Sequence, residues 1–384
     1  MWAIALVGLV FGSFGIWDRL VTGHVKANYG SYVVWGLWVA AYIYFVGLSA
    51  GAFLISSLIY AFGVRRLERV GKLALFVALV TLFMALLIIL LDLGHMSRFY
   101  WVYTRANFSS MMTWMVWLYT AYFLLLLAES WLALKPDLIK GLTPETLQRD
   151  RRLLKYLGTI GVPLAIAFHG GVGALFGTVV ARPYWHTPLY PILFLTGALV
   201  SGGALMTATV AFFWPDRNEG YRDTVKYLGQ IVLMILVFDL ILEFAEFSIP
   251  MWYGVGPEYE LMRKVLFGSF WWVFWVVHLL LGSLIPIGIL ATQRERPLRV
   301  GAAGLLISFT FMAARLNIVV PGLIEPQLRG LEEAFHDPRL VFQYFPSLFE
   351  WQVFAFVIAL GIALFCVGQR LLPLMGERPT ERSV

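Results

Sequence analysis

A single cysteine, Cys366, stands among 384 residues. That excludes an internal disulfide, and it excludes an iron–sulfur cluster held by four thiolates of this chain. Charge is scarce as well: 14% of residues are Asp, Glu, Lys or Arg, against 60% hydrophobic. With a mean hydropathy of +0.77, the chain has too much apolar surface for a water-soluble core to hide. The net charge of +6 is no nucleic-acid signal in such a chain, because basic residues of a membrane protein mostly record its topology.

What is abundant is apolar runs of 18 residues or more, along the whole length. Such runs read as membrane spans. They are continuous rather than alternating, so they are helices and not barrel strands. The fold class is therefore all-α integral membrane. Ten spans are expected, over about 1–17, 31–60, 72–94, 111–134, 157–180, 191–213, 224–249, 265–291, 298–320 and 346–371. The first, "MWAIALVGLVFGSFGIW", lacks the basic start and small-residue cleavage site of a secretory signal and is kept as a helix.

Lys and Arg are uneven between the loops. The even-numbered loops and the C-terminal tail hold nineteen of the 29, including Arg65, Arg66, Arg149, Arg151 and Arg152. Nine lie in the odd loops, Arg329 among them, and Arg378 and Arg382 count in the tail. The positive-inside rule puts both termini in the cytoplasm and the odd loops outside. Four odd loops are long and aromatic, for example "RFYWVYTRANFSSMMTW" and "ARPYWHTPLYP". They suit an interfacial aromatic belt and a docking platform for a protein partner. Among the inner loops, Lys135–Tyr156 reads as a basic amphipathic helix on the membrane surface, with Thr143 as cap and Pro144 at its first position.

Ser49-Ala50-Gly51-Ala52 in span two lines up with Ser201-Gly202-Gly203-Ala204 in span six. Carried forward, the offset pairs spans two to five with six to nine. Two pseudo-symmetric four-helix bundles follow, with spans one and ten peripheral. Four spans per unit make the copies parallel repeats. The divisions are 1–30 (first peripheral helix and loop), 31–180 (first bundle), 181–320 (second bundle) and 321–384 (outer loop, last helix and tail).

"LVFDLILEFAEFSIP" (236–250) puts three acids into a membrane span. Asp239, Glu243 and Glu246 are spaced i, i+4, i+7, which gathers them within an arc of roughly 60° on one helix face. A charged carboxylate at the bilayer centre costs about 2.5–3.5 kcal/mol on the lenient scale, so such residues face a bundle interior or a wet cavity. Asp92 and His95 end span three on the same side of the membrane. His169 lies within span five in the glycine-rich "IAFHGGVGALFG", and Arg315 and Asn317 lie late in span nine. An imidazole and several buried carboxylates can trade protons near neutral pH. A dry aromatic pocket with such groups suits a quinone, whose redox step moves two electrons and two protons. Glu129 lies near the inner end of span four, as an interfacial acid or a proton entry or exit. His278 lies within span eight.

Three stretches in order carry a family resemblance: "YFVGLSAGAFLIS" (44–56), "LDLGHMSRFYWV" with "NFSSMMTWMVWLY" (91–119), and "FHGGVGALFGTVVARPYWHTPLYPILFLTGALVSGGAL" (168–205). The chain resembles the NrfD/PsrC family of polysulfide-reductase-like membrane subunits, in its ten-helix branch, over about spans two to nine. The resemblance implies two four-helix bundles and no redox cofactor of the chain's own, neither haem nor cluster. It implies exchange of electrons between menaquinone or ubiquinone and an outer-side iron–sulfur subunit, and through that subunit a molybdopterin or other catalytic subunit, in a prokaryotic cytoplasmic membrane. Matched residue by residue, it implies quinone binding at His169, Asp92, His95 and Tyr42, with His169 and Asp92 catalytic. Tyr42 stands where the family can have a His. Arg182, Trp185 and His186 match the family's RPxWHTP loop, for structure or docking. Proton translocation is suspected in some members, and Asp239, Glu243, Glu246 and Glu129 would be its route here. Three other readings remain. A b-haem subunit would use His169 and His278 as axial ligands, a secondary transporter would use the acids and the repeat, and a plain membrane anchor would leave the acids without a role.

Overall fold

The computed structural model of the chain describes residues 1–375 apart from 329, 336 and 338. Arg329, Arg378 and Arg382 of the charge count lie outside the described residues. Ten helices are long and apolar enough to cross a membrane, and no strand occurs among the described residues. The chain is a multi-pass membrane protein. The helices are α1 (Trp2–Thr22), α2 (Leu37–Tyr60), α3 (Gly71–Asp92), α4 (Met111–Leu138), α5 (Pro144–Gly177), α6 (Tyr190–Phe213), α7 (Glu219–Tyr253), α8 (Val273–Thr292), α9 (Pro297–Val319) and α10 (Leu348–Leu371).

Two of them differ from the expected spans in an instructive way. The stretch before span five does not lie on the surface as a separate helix: α5 runs unbroken from Pro144 to Gly177. Its start is where the cap signals put it, with Thr143 Oγ1 accepting from the Thr146 amide at 3.3 Å and Pro144 following. With no breaker between Glu145 and Gly158, the backbone keeps its helical bonds and the polar turns simply project beyond the apolar run. Span eight is split. A separate helix, Pro257–Phe267, ends before Gly268, and α8 begins beyond it as a π-wound stretch over Val273–Leu284. π-turns in membrane and soluble helices concentrate at functional sites, and this one carries His278.

α2 is the most enclosed helix. It packs on α3 and α5; α3 packs on α4, and α4 on α5. Likewise α6 packs on α7 and α9, and α8 on both α7 and α9. We read these pairs as two four-membered rings, joined where α2 meets α6 and α9. The joint is made of the small residues of the internal repeat. A Cβ added at Gly51 would stand 2.8 Å from the Cα of Gly202, and one at Gly202 only 2.6 Å from the Cα of Gly51. Without a hydrophobic driving force between helices in lipid, such close approach supplies the attraction by dispersion. Gly51→Val is therefore expected to lower stability by about 1–3 kcal/mol or more, since backbone rather than a flexible side chain blocks the new atoms. Thermal unfolding of the purified protein in detergent measures it.

The pair α1 and α10 flanks the first ring, with α10 also lying on α3. Gly8, Gly12 and Gly15 form the stripe on which α1 meets Ala359, Phe356 and Gln352. Near its end, Arg19 leaves the lipid side. It is buried, and its guanidinium donates to the carbonyls of Leu91 and Leu93, both at 2.6 Å. A cation on the last carbonyls of α3 satisfies orphan acceptors and meets the negative end of the helix dipole.

Candidate functional site

The odd loops lie at one end of the bundle, and His169, Arg315 and the three acids of α7 lie in that half of their helices. α5 reaches the odd-loop end at Gly177, so His169 lies about 12 Å inside it at 1.5 Å per residue. α7 runs to the same end, with Asp239, Glu243 and Glu246 approaching it turn by turn.

In the first ring, His169 is 0% exposed and neither ring nitrogen makes a hydrogen bond within 3.5 Å; the polar group nearest the ring is the Phe194 carbonyl. Its neighbours are rings and a small residue: Phe168 at 6.0 Å and Phe194 at 6.3 Å between centroids, with Gly47 beside it. Orphan polar atoms this deep are rare in folded proteins and call for a partner. Tyr42 is hydrogen-bonded through its hydroxyl to the hydroxyl of Tyr119. Tyr119 in turn meets Phe168 edge-on at 5.5 Å. Asp92 stands elsewhere, at the end of α3 in the electrostatic field of Arg19, and His95 is exposed in the loop that follows. The four expected quinone contacts thus occupy separate settings: His169 in the ring's interior, the Tyr42–Tyr119 pair between α2 and α4, and Asp92 with His95 at the mouth. Towards the even-loop end, Glu129 is 0% exposed with both carboxylate oxygens unpartnered.

The second ring holds the acid face. Asp239 accepts a hydrogen bond from Thr196 of α6. Glu243 Oε2 lies 2.8 Å from Nε2 of His278, which the π-wound stretch of α8 presents to it. Glu246, one turn nearer the odd-loop end, accepts from Thr187 Oγ1 at 3.1 Å. Arg315 is 4% exposed; it donates to the Phe194 carbonyl at 3.4 Å and stacks over that ring at 4.7 Å. Asn317 is buried with both side-chain atoms unpartnered, as is Nδ1 of His278. These residues line one cavity of about 60 Å³, room for a few waters where a single water needs about 10–15 Å³ and two to four polar partners. Tyr184, in the loop above, closes one wall and donates to the Asn317 carbonyl at 3.0 Å. Burial pushes its phenol well above the usual range, so it stays a donor.

The loop Ala181–Leu189 is fastened rather than free. Arg182 donates to the Glu325 carbonyl at 2.9 Å. Trp185 is 2% exposed, and its indole donates to the Ile318 carbonyl at 2.8 Å. His186 remains exposed, with Nδ1 2.8 Å from the Gly177 carbonyl.

Sequence reasoning passed over Arg19, Tyr119 and Thr196, and read His278 only as a haem ligand. Arg19 carries a signal, a cation at the end of an apolar run. Thr196 carries none, because a helical Thr usually bonds its own backbone, as Thr196 also does to Ile192 at 3.1 Å.

The family model described as "Polysulphide reductase, NrfD" matches residues 25–327. The chain belongs to the NrfD family. Among similar proteins, a selenate reductase subunit of Mesobacillus selenatarsenatis is 34% identical over 98% of this chain and 93% of its own length. The Hdr-like menaquinol oxidoreductase integral membrane subunit of Archaeoglobus fulgidus is 28% identical over 92% of this chain and 88% of its own. The menaquinone reductase integral membrane subunit of Nitratidesulfovibrio vulgaris is 24% identical over 98% and 92%. These NrfD relatives are named as subunits of oxidoreductases, two of them for menaquinol or menaquinone.

Proposed function

We propose that this NrfD-family chain is the quinone-exchanging membrane subunit of a respiratory oxidoreductase complex in a prokaryotic cytoplasmic membrane. The observation that carries the reading is His169, an imidazole in the interior of the first ring whose nitrogens make no hydrogen bond within 3.5 Å. The aromatic rings and Gly47 around it fit a flat, apolar ligand whose carbonyl oxygens would meet a ring nitrogen. Menaquinone or ubiquinone, when bound, would supply two-electron chemistry coupled to two protons. His169 would hold one oxygen and take or return a proton at a ring nitrogen. The Tyr42–Tyr119 hydroxyl pair offers a second polar contact from the neighbouring wall. Asp92 and His95 stand at the mouth, where a proton leaves for the odd-loop side, and Arg19 fixes the end of α3 that carries Asp92.

With one cysteine in the chain, electrons leave through a partner. We place an iron–sulfur subunit on the odd-loop face, taken as outside by the positive-inside rule, and a molybdopterin or other catalytic subunit beyond it. Arg182 and Trp185 hold the docking loop in shape, and His186 is its exposed residue. Asp239, Glu243 and Glu246, with Glu129 towards the cytoplasmic side, form the proton route. Both termini are cytoplasmic in this arrangement.

The test is a titration of a fluorescent quinol-site inhibitor into the purified complex. His169→Ala is expected to weaken one-site binding at least tenfold, about 1.4 kcal/mol. Equal affinity in a well-folded variant would remove His169 from the site.

A further inference from the structure

His169 belongs to the first ring and the acid cluster to the second, and α6 is the wall between them. That wall is thin at one point. Gly197 has no side chain, and a Cβ built there would stand 2.6 Å from Nη2 of Arg315. On the same stretch of α6, Phe194 packs against His169. Arg315, although on α9, thus lies against the wall whose other neighbour is His169. Its charge is felt by His169 on one side and by Asp239 and Glu243 on the other.

The guanidinium has five donors, yet it makes only the long bond to Phe194 and the stacking contact with that ring. No carboxylate lies within 4.0 Å of it among the described residues. An ordinary structural arginine in a membrane interior would be forked to an acid. This one is held between two sites and committed to neither, with the cavity at its end.

We propose that Arg315 is the electrostatic link between the two rings. Through the gap at Gly197, a change of charge at His169 is transmitted to the Asp239–Glu243–His278 cluster and moves a proton there. This rests on the quinone reading of His169. The charges close as follows. Asp239, Glu243 and Arg315 sum to one negative charge, so the cluster is neutral when it holds one proton among Asp239, Glu243 and His278. Both nitrogens of His278 and both acids can carry that proton, and the cavity waters can pass it. When quinol oxidation leaves a proton on His169, the added positive charge crowds Arg315 and the cluster expels its proton towards Glu246 and the odd-loop face. When His169 gives its proton up, the cluster takes one back from the even-loop side, so each cycle carries one proton across besides those that quinol itself releases. Electrons play no part in this ring. The other charged or titratable neighbours of the cluster are Glu246, from the same helix, and Tyr184 and Tyr190 from the loop and the start of α6.

The experiment uses the whole complex in sealed proteoliposomes. Two quantities are read together: the rate of quinol oxidation, and the protons released outside per quinol oxidised. The variants are Gly197→Ala, Arg315→Lys and Arg315→Gln. Gly197→Ala pushes the guanidinium from the wall without removing its charge, and only the far end of a flexible side chain has to yield. It is expected to keep quinol oxidation within about threefold of wild type, while protons per quinol fall to the two that quinol itself carries. Arg315→Gln is expected to do the same, and Arg315→Lys to retain a ratio above two, because the link is a charge and not a shape. Should Arg315→Gln not fold, Gly197→Ala against Arg315→Lys decides. A ratio of two in the wild type, or the same higher ratio in Gly197→Ala as in wild type, would overturn the link. A wild-type complex that oxidises no quinol would overturn the quinone reading itself, and the link with it.

Discussion

Arg315→Leu is expected to destabilise the protein by about 1–3 kcal/mol or more, the cost of leaving buried polar groups uncompensated, larger when they are charged. Leucine fills the space and suits the membrane, so the loss is not one of packing. It comes from Asp239, which is buried, and Glu243, which is partly buried, left beside each other without the charge of the guanidinium. Asp239 keeps its bond from Thr196 and Glu243 its bond to His278, and both still carry like charge. Adding Asp239→Asn is therefore expected to recover a substantial part of the loss. The asparagine can accept from Thr196 as the aspartate did, and one uncompensated charge is gone. Thermal unfolding of wild type, the two single variants and the double variant gives the coupling directly. Additive effects would mean that Arg315 and Asp239 do not share a field.

Trp185→Ala is expected to cost about 3–5 kcal/mol, as for other large-to-small changes at buried aromatics. The indole is stacked on Trp35 at 5.7 Å and meets Phe176 edge-on at 4.9 Å. It also lies on Gly322, where a side chain would collide with it. Its hydrogen bond to Ile318 ties the loop after α5 to the end of α9. Losing it unpins the roof over both rings at once. Limited proteolysis of the odd-loop face should show new cleavage between 178 and 189, and the melting temperature should fall. Trp185→Phe keeps most of the stacking and loses only the bond to Ile318, so a smaller loss is expected. An alanine variant as stable as wild type would mean that the bonds of Arg182, Tyr184 and Thr187 hold the loop without the indole.

The ten membrane helices were legible because each is an apolar run long enough to span a bilayer, and nothing in lipid competes with helix for such a run. Their ends were less so. Nothing in "TPETLQRDRRLLKYLG" says whether its helix lies on the membrane or continues into the span. Continuity depends on the absence of a breaker, and polar turns can project into water. The split before α8 was hidden for the opposite reason. The apolar residues just before Gly268, Val265–Phe267, read as the start of the span although they close a separate, charged helix, and a π-wound stretch leaves no mark in composition.

The acid face was legible because i, i+4, i+7 spacing fixes one helix face, and carboxylates in a span demand company. The identity of that company was not. Thr196 is 43 residues from Asp239, and His278 is 35 from Glu243. No local pattern pairs them. The repeat of Ser49–Ala52 and Ser201–Ala204 was visible as sequence, but only the fold reveals that its glycines meet each other at the joint between the rings.

The most direct test of the quinone reading is to find where the ring binds. A photoreactive quinone analogue would be activated in the native complex, with competing quinol present in a control. The labelled peptides of this chain would then be mapped by mass spectrometry. The account predicts labelling, suppressed by competitor, on the segment of α5 around His169 and on the facing parts of α2 and α4 around Tyr42 and Tyr119. Competitor-sensitive labelling confined to α7, α8 and α9 would put the quinone in the second ring, and contradict the division of labour between the two.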